Sequence, residues 1–420
     1  MKKKPSFKQT EVGIIPKEWS VKCLGDCLDN HPSYGINAAA VSYSDKLPTY
    51  IRITDISKDG RFLPDQRASV NSIMSSKFYL EEGDIVFART GASVGKSYRY
   101  NPKDGPLVYA GFLICVKPNK KKIIPAFLST YVTMSSYWRW VSLMSMRSGQ
   151  PGINGKEYAQ LPIPFPELHE QQAIVKVISD IDLLVVALDQ LISKKRNIRY
   201  AVMQQLLTGK IRLPGFNKEW KIKTLNQIIS RFSTGLNPRK NFRLNSGGNF
   251  YYVTIKNFTT GRLLLNEKCD LIDKTAFLKI NERSDLRKDD ILFSSIGRIG
   301  DAYLITDNPQ NWNINESVFT LRPDKKQIIP LMLFHLLRNT NIKDALNQGS
   351  TGSTFKSIKQ AQLKKILCYI PSSQKEQIAI AEALSEMDNE LTLLEKQHNK
   401  IKSLKQAMMQ ELLTGKTRLV

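Results

Sequence analysis

The sequence predicts an α+β fold with a pseudo-two-fold internal repeat: two related globular domains separated by two long antiparallel coiled-coil helices. The main observation is a duplication, because residues 171–213 and 377–419 align without a gap at a constant offset of 206 residues. Both copies end in Leu-Leu-Thr-Gly-Lys-x-Arg-Leu. We therefore expect a first domain at residues 1–168, a helix at 169–211, a second domain at 212–374 and a second helix at 375–420.

Apolar residues recur with a 4-3-4-3-4 spacing in both copies, which is the pattern of a coiled-coil seam. Neither stretch contains a proline, and Gly209 and Gly415 are suited to end the helices. We interpret His398, the polar seam residue of the second copy, as a residue that sets the register of the helices rather than as a metal ligand. The seam positions are Ile174, Ile178, Ile181, Val185, Leu188 and Ile192, then Ile380, Leu384, Met387, Leu391, Leu394 and His398.

The connectivity predicts that the two helices are antiparallel. The second globular segment starts where the first helix ends and stops where the second helix begins. In a parallel pair that segment would have to span about 57 Å, the length of a helix of roughly 38 residues. A domain of about 160 residues is only about 40 Å across. Antiparallel helices bring the two ends together and place the domains at opposite ends of the pair.

The globular segments repeat more loosely and combine short strands with helices. The strand candidates are rich in β-forming residues, and a proline stands where a helix follows, at Pro125 and at Pro330. Related blocks occur in the same order in both segments, whereas the stretches between them differ. The strand candidates are residues 84–88, 106–116, 290–294 and 318–322.

The charge favours an anionic partner. The chain has a formal net charge of +24 over 420 residues, and duplex DNA is the partner that we expect. A generally basic surface is the alternative. No apolar run reaches the roughly 18 residues of a membrane helix, and the basic N-terminus lacks the apolar stretch of a signal peptide. With five dispersed cysteines, we expect a cytoplasmic protein that has no membrane partner.

Four polar loops are candidate DNA contacts, because base edges and phosphates are bound by Arg, Lys, Asn, Gln, Ser and Thr. Each loop is equally compatible with an ordinary solvated turn. The candidates in the first domain are Arg89, Thr90, Ser93 and Lys96, then Arg147, Ser148, Gln150 and Asn154. The candidates in the second domain are Ser294, Ser295 and Arg298, then Gln348, Ser350, Thr351, Ser353 and Lys356.

We identify no catalytic residue, metal ligand or cofactor site in the sequence. Residues 91–97 read Gly-Ala-Ser-Val-Gly-Lys-Ser, but a P-loop needs four residues between its glycines and a following helix. Cys23 and Cys27 have no second pair for zinc. An NTPase that uses the Gly91 loop is therefore a minor alternative. A coiled-coil interaction scaffold without specific DNA binding is the main alternative.

The order of domain, long helix, domain and long helix resembles the specificity subunit of type I restriction–modification systems. The resemblance rests on Trp19 and Trp220, the Asp-Ile strands after Asp84 and Asp290, the Gln-rich helix starts and the Thr-Gly-Lys tails. It covers nearly the whole chain. It implies a non-catalytic protein whose globular segments are target recognition domains that read an asymmetric bipartite DNA target.

The same resemblance implies the partners. Two methyltransferase subunits would dock on the helices and supply S-adenosylmethionine chemistry. Restriction and translocase subunits with ATP-driven motors would complete the larger complex. S-adenosylmethionine and ATP are thus expected in partner subunits, and no cofactor is expected in this chain.

Overall fold

A computed structural model of the chain describes residues 6–419, apart from residues 58, 147–148, 260, 340–341 and 343–356. The chain divides into two compact units. Unit 1 comprises Met1–Asp189 with Gln397–Val420, and unit 2 comprises Gln190–Lys396. Each unit contains one globular domain and a part of both long helices. The boundaries expected at residues 168 and 374 coincide with the starts of the long helices and not with the division between the units.

The two long helices are Leu168–Leu207 and Gln374–Leu413, each of 40 residues. The twelve seam positions are buried or half-buried, His398 among them. The two predicted capping glycines follow the helix ends in the left-handed region, with φ of +68° at Gly209 and +66° at Gly415. The first helix ends four residues before the expected residue 211 and the second seven before residue 420, because a left-handed glycine stops the helical backbone in each.

Ion pairs between the helices show their direction within each unit. In unit 1, Asp182 Oδ1 lies 2.5 Å from Lys405 Nζ, and Asp189 Oδ1 lies 2.9 Å from His398 Nε2. Residue numbers rise along one helix while they fall along the other, so the helix segments are antiparallel. His398 thus faces a carboxylate at its seam position, which agrees with its interpretation as a register residue.

Unit 2 shows the same direction. Lys195 Nζ lies 2.6 Å from Glu390 Oε1, and further along the helices Arg199 pairs with Asp388. The antiparallel arrangement that the connectivity predicted is therefore confirmed within both units. These pairs are partly exposed, so they specify register more than they stabilise the fold.

Unit 1 is built on two four-stranded sheets. The first has the order Ser33–Tyr34, Leu113–Val116, Ile85–Ala88, Ser97–Arg99 and is antiparallel. The second has the order Leu107–Tyr109, Thr49–Ile51, Ala68–Val70, Ala40–Ser42 and contains one parallel pairing. Two further antiparallel pairs join Phe7–Thr10 to Gly13–Pro16, as a hairpin, and Ser20–Cys23 to Pro162–Phe165, which are distant in sequence. The short helices are Pro125–Tyr131, Ser135–Met144 and Gly155–Ala159.

Unit 2 repeats this plan with fewer strands. Its four-stranded antiparallel sheet has the order Ile229–Thr234, Val318–Pro323, Ile291–Ser294, Ala302–Leu304. A three-stranded sheet has the order Asp270–Ile272, Phe250–Val253, Trp312–Ile314. Two further pairs join Trp220–Thr224 to Leu367–Pro371 and Phe258–Thr259 to Arg262–Leu263. The short helices among the described residues of unit 2 are Leu225–Ile228, Lys274–Ser284, Pro330–Leu337 and Gln360–Lys364.

One predicted strand segment differs from the structure. Residues 106–116 form two strands in different sheets, separated by a turn at residues 110–112. The turn is closed by a hydrogen bond of 2.8 Å from the Leu113 N–H to the Ala110 oxygen. The continuous β-rich composition concealed this turn, whose one glycine is Gly111. The helix starts expected at Pro125 and Pro330 are confirmed.

Each unit has its own apolar core, and the ends of the long helices contribute to it. In unit 1, Ile174, Ile178, Leu412 and Leu413 pack in one cluster with the domain's strands and helices. In unit 2, Leu206, Leu207, Ile380 and Leu384 do the same. Within the part of the chain that the structure describes, no helix has the length and apolarity to cross a membrane.

Candidate nucleic-acid interface

A buried carboxylate at the start of the second repeat helix joins three parts of unit 2. Glu376 accepts a hydrogen bond of 3.1 Å from the Trp220 indole N–H. It also pairs with Arg212 through two bonds, from Nε at 2.9 Å and from Nη2 at 2.7 Å. Its side chain is fully buried, so the indole and the guanidinium supply the partners that a buried charge requires.

Unit 1 contains the same arrangement. Glu170 accepts a bond of 2.9 Å from the Trp19 indole, and Arg418 pairs with it through Nε and through Nη2, the latter at 2.8 Å. The duplicated Trp and Arg residues of the sequence are therefore the two partners of one buried glutamate. We call these two sets of three residues the Trp–Glu–Arg clamps. They fix the helix ends to the domains that carry the candidate loops.

The backbone brings the two candidate loops of the first domain together. The Ile153 N–H donates to the Arg89 oxygen at 2.9 Å, and the Gly91 N–H donates to the Pro151 oxygen at 2.9 Å. Thr90 forms an isolated β-bridge with Gly152. The loop after the strand Ile85–Ala88 and the loop that includes Gln150 therefore form one surface.

Side chains of this surface point in different directions. The Arg89 guanidinium lies 4.8 Å from the centre of the Tyr34 ring, and its Nη1 contacts the Gly111 oxygen at 3.5 Å. Gln150 is exposed. Thr90 and Ser93 are half-buried. Arg89 and Gln150 thus present polar groups for a ligand.

Two further candidates in this domain have structural partners. Lys96 is half-buried and its Nζ donates to the Ile56 oxygen at 3.3 Å. Asn154 is exposed, and its side chain caps the helix Gly155–Ala159 by accepting from the Glu157 N–H at 2.9 Å. These contacts position the loops, so we rank the two residues below Arg89 and Gln150 as base-contacting groups.

The second domain repeats the backbone of this surface. The Ile358 N–H donates to the Ser295 oxygen at 2.9 Å, and Ile296 forms a β-bridge with Ser357. Ser295 therefore occupies the place that Arg89 has in unit 1.

The expectation that Ser294 and Ser295 are exposed is wrong. They are 1% and 3% exposed, and their hydroxyls donate to the oxygens of Ile296 and Ser317 at 3.0 and 2.7 Å. Hydroxyl groups in a buried loop are satisfied locally, since a buried polar group without a partner is costly. These two serines therefore support the loop instead of facing a ligand.

Arg298 remains accessible in the second domain. Its side chain is 51% exposed, and Nη2 donates to the backbone oxygens of Ile255 and Phe258 at 2.8 and 3.0 Å. The guanidinium is thus held in place while part of it faces solvent. The candidates Arg147, Ser148, Gln348, Ser350, Thr351, Ser353 and Lys356 lie outside the described residues.

The Gly91 loop does not have P-loop geometry. Residues Gly91–Ser93 form a short 3-10 turn, and Ser97–Arg99 is a strand that pairs with Ile85–Ala88. A P-loop requires a helix at this place, whose N-terminus binds the phosphates. Across the described residues, no three His, Cys, Asp or Glu side chains are grouped so that they could hold a metal ion.

The sequence reasoning missed two aromatic residues of the loop surface. Tyr34 is 43% exposed and Phe112 is 60% exposed. Tyr34 follows a stretch without strong periodicity, and Phe112 sits in a segment that reads as continuous strand. The sequence also contains a signal for the two clamp glutamates, because Glu170 and Glu376 occupy equivalent places in the repeat.

Comparisons with known proteins agree with this duplicated geometry. A family model described as the type I restriction modification DNA specificity domain matches residues 16–195 and again residues 217–403. The putative type I restriction enzyme MjaX specificity subunit of Methanocaldococcus jannaschii is 25% identical over 440 residues, which cover 99% of this chain and 98% of that protein. The EcoBI specificity subunit of Escherichia coli is 24% identical over 285 residues, which cover 60% of this chain and 58% of that protein.

A solved structure shows the same fold. The type I restriction–modification S subunit from M. genitalium aligns with a TM-score of 0.57 at 15% identity, over 94% of this chain and 96% of that one. The two matches of the family model together span well over half of the sequence. The chain therefore belongs to the type I restriction–modification DNA specificity family, as a sequence-specific DNA recognition subunit that carries two copies of the family's domain.

Proposed function

We propose that the chain reads an asymmetric DNA target in two halves, one with the loop surface of each unit, and that it performs no catalysis itself. The strongest support is a contrast within the repeat: the supporting contacts are the same in both units, whereas the side chains of the loops differ. The two units share the Trp–Glu–Arg clamp and the backbone pairing of the loop surface. They differ in the side chains that those loops present. Two similar supports with different contact groups suit two half-sites of different sequence.

The charge distribution is compatible with a duplex. The net charge of +24 favours phosphate contacts, which position a protein on DNA without reading its sequence. Arg298 is held by neighbouring backbone oxygens with its side chain 51% exposed, whereas Arg89 is half-buried beside the Tyr34 ring. A guanidinium with a fixed orientation is the usual group for bidentate contact with guanine.

The expected salt dependence follows from this charge. If six to ten phosphates are neutralised, affinity falls by about 10³- to 10⁵-fold between 50 and 200 mM salt. Binding to a labelled duplex over that range measures the slope. An affinity that does not change with salt would rule out the duplex as the partner.

We place the chemistry in partner subunits. Methyltransferase subunits would supply S-adenosylmethionine-dependent modification, and restriction subunits would supply ATP-dependent translocation. The long helices offer a docking surface, because apolar side chains remain exposed on them. In unit 1 these include Leu183 at 68% and Leu404 at 51%, and in unit 2 Leu393 at 60% and Ile198 at 41%. Contiguous apolar patches mark protein contacts, so we propose that the methyltransferase subunits cover these side chains.

Co-expression with a methyltransferase partner tests the proposal. The chain and the partner are produced in a host that lacks other DNA methylation, and the modified sites in its genome are sequenced. We expect a single target composed of two different short sequences with a fixed gap between them. A continuous target, a palindromic target or the same modification without this chain would contradict the proposal.

A further inference from the structure

Phe112 stands out because it is 60% exposed in a turn whose backbone is fixed on several sides. The Gly111 N–H donates to the Ile36 oxygen at 2.8 Å, and the Arg89 N–H donates to the Phe112 oxygen at 3.1 Å. The phenyl ring therefore extends from a rigid support. Exposure forgoes most of the free energy that burial of a phenyl ring provides, so the ring has no evident role in folding.

The neighbours of Phe112 are an arginine and a tyrosine, residue types that contact bases in protein–nucleic acid complexes. Arg89, which is bonded to it through the backbone, stacks on the ring of Tyr34 and contacts the Gly111 oxygen. The Tyr34 hydroxyl in turn accepts from the Gly155 N–H at 3.1 Å, which fixes the ring. An aromatic residue beside an oriented arginine provides an apolar contact and a hydrogen-bond donor within one small surface.

Unit 2 provides the comparison. The Ser295 N–H donates to the Ser317 oxygen at 3.2 Å, which is the same backbone bond that joins Arg89 to Phe112. The same turn therefore carries an arginine and a phenylalanine in unit 1 but two serines in unit 2. A side chain that served only the fold of the turn would not be expected to change from a phenyl ring to a hydroxymethyl group while this bond is kept.

We infer that Phe112 is a specificity-determining residue of unit 1, whose ring makes an apolar contact with a base of the first half-site. This inference rests on the proposed function and names the group that performs part of it. Two kinds of contact share this chemistry. The ring either packs on the 5-methyl group of a thymine in the major groove or stacks on a base that has been partly unstacked.

The test uses the full chain in complex with its methyltransferase partner and a duplex that carries the target found by methylation sequencing. We expect Phe112→Ala to weaken binding to that duplex about 10-fold. We also expect it to reduce discrimination against variants of the first half-site and leave discrimination at the second unchanged. Ile14→Ala is the matched control, since Ile14 is an apolar residue of unit 1 that is 53% exposed on another strand pair. The thermal midpoint of both variants should equal that of the unaltered chain.

Two further experiments distinguish packing on a thymine methyl group from stacking on a base. If the ring packs on a thymine methyl group, one thymine-to-uracil replacement weakens binding of the unaltered chain and has no effect on Phe112→Ala. If the ring stacks on a base, 2-aminopurine at one position becomes more fluorescent with the unaltered chain and does not with the variant. Either result supports the inference.

Equal affinity and equal discrimination for Phe112→Ala and the unaltered chain would overturn the inference. Loss of methyltransferase binding with DNA recognition intact would overturn it as well, because the ring would then contact a protein. If the unaltered complex has no half-site preference at all, the proposed function itself has failed, which is a distinguishable outcome.

Discussion

The loop surfaces of the two units have the same backbone and different side chains. Arg89 in unit 1 and Ser295 in unit 2 each follow a strand of the four-stranded antiparallel sheet. The backbone of each bonds to the turn before the neighbouring strand and to a loop later in the chain. Arg89 lies over the Tyr34 ring and is half-buried. Ser295 is 3% exposed and turns its hydroxyl inward. The repeat thus preserves the support and varies the groups that it presents.

The clamps show the opposite behaviour. Trp, Glu and Arg recur in both units with the same partners, although Arg212 precedes the second globular domain and Arg418 follows the second long helix. A buried carboxylate tolerates little change, because each of its partners would otherwise lose an acceptor. The comparison teaches that what is duplicated here maintains the fold and what differs is available for recognition.

Removal of a clamp glutamate is expected to have the largest effect. Glu170→Ala or Glu376→Ala leaves a buried indole N–H without an acceptor and a partly exposed arginine without its partner. We expect a loss of about 3 kcal/mol in the affected unit, of similar size in both. Hydrogen exchange read separately in the two units measures it. Glu18→Ala is the control, since this exposed carboxylate lies 3.4 Å from Arg418 and should contribute under about 0.5 kcal/mol.

Low pH is expected to destabilise unit 2 more than unit 1. Burial lowers the pKa of His335 to about 3, with Arg338 and Arg199 adding to the effect and Asp388 opposing it. The unfolded chain binds this proton near the ordinary pKa of 6.5, so the contribution of neutral His335 is complete above that pH. It is lost as the pH falls from about 6.5 towards 3, by up to about 1.4 kcal/mol per pH unit.

His335→Gln should flatten this dependence in unit 2. Urea unfolding monitored in unit 2 between pH 7 and pH 5 gives the measurement. Thr130 stands at the equivalent place of the repeat helix in unit 1, so that unit lacks the effect of this group. His169→Gln is the control, because His169 is exposed. An unchanged pH profile after His335→Gln would show that the histidine does not cause the acid sensitivity.

Replacement of Arg89 is expected to have a smaller but more selective effect. Arg89→Ala should reduce affinity by about 10-fold, near 1.4 kcal/mol, and relax preference at one half-site. Ser295→Ala, at the equivalent place, should leave affinity unchanged, because its hydroxyl faces the Ser317 oxygen. Lys103→Ala removes an exposed charge elsewhere in unit 1 and controls for general electrostatics. Equal losses for Arg89→Ala and Lys103→Ala would indicate that charge alone governs binding, and a loss for Ser295→Ala would contradict the inward orientation of its hydroxyl.

The sequence predicted the repeat and the helices because their signals are long and periodic. The apolar spacing from Ile174 to Ile192 extends over several helical turns, and it indicates a helix packed along one face. The orientation of single side chains in loops is different. Composition did not reveal that Ser294 and Ser295 face inward, since a serine is satisfied by water or by a nearby carbonyl alike. Nor did it reveal the turn at Phe112, where three residues separate two strands of different sheets.

The clamps could have been predicted only in part. Their Trp and Arg residues were visible as repeated motifs, but the pairing of Arg418 with Glu170 joins residues 248 positions apart. Such a contact depends on the antiparallel packing of helix ends, which local patterns do not describe. Arg89 and Gln150 were identified as candidates by residue type, and their proximity emerged from backbone bonds between two separate loops.

The most direct test of separate half-site reading is a two-by-two binding measurement. Arg89→Ala and Arg298→Ala, one from each unit, are each combined with the methyltransferase partner. Each complex is titrated with duplexes in which one or the other half of the methylation target is altered. We predict that Arg89→Ala loses discrimination at one half-site only and Arg298→Ala at the other only. Loss at the same half-site for both variants, or at both half-sites for either, would contradict the account.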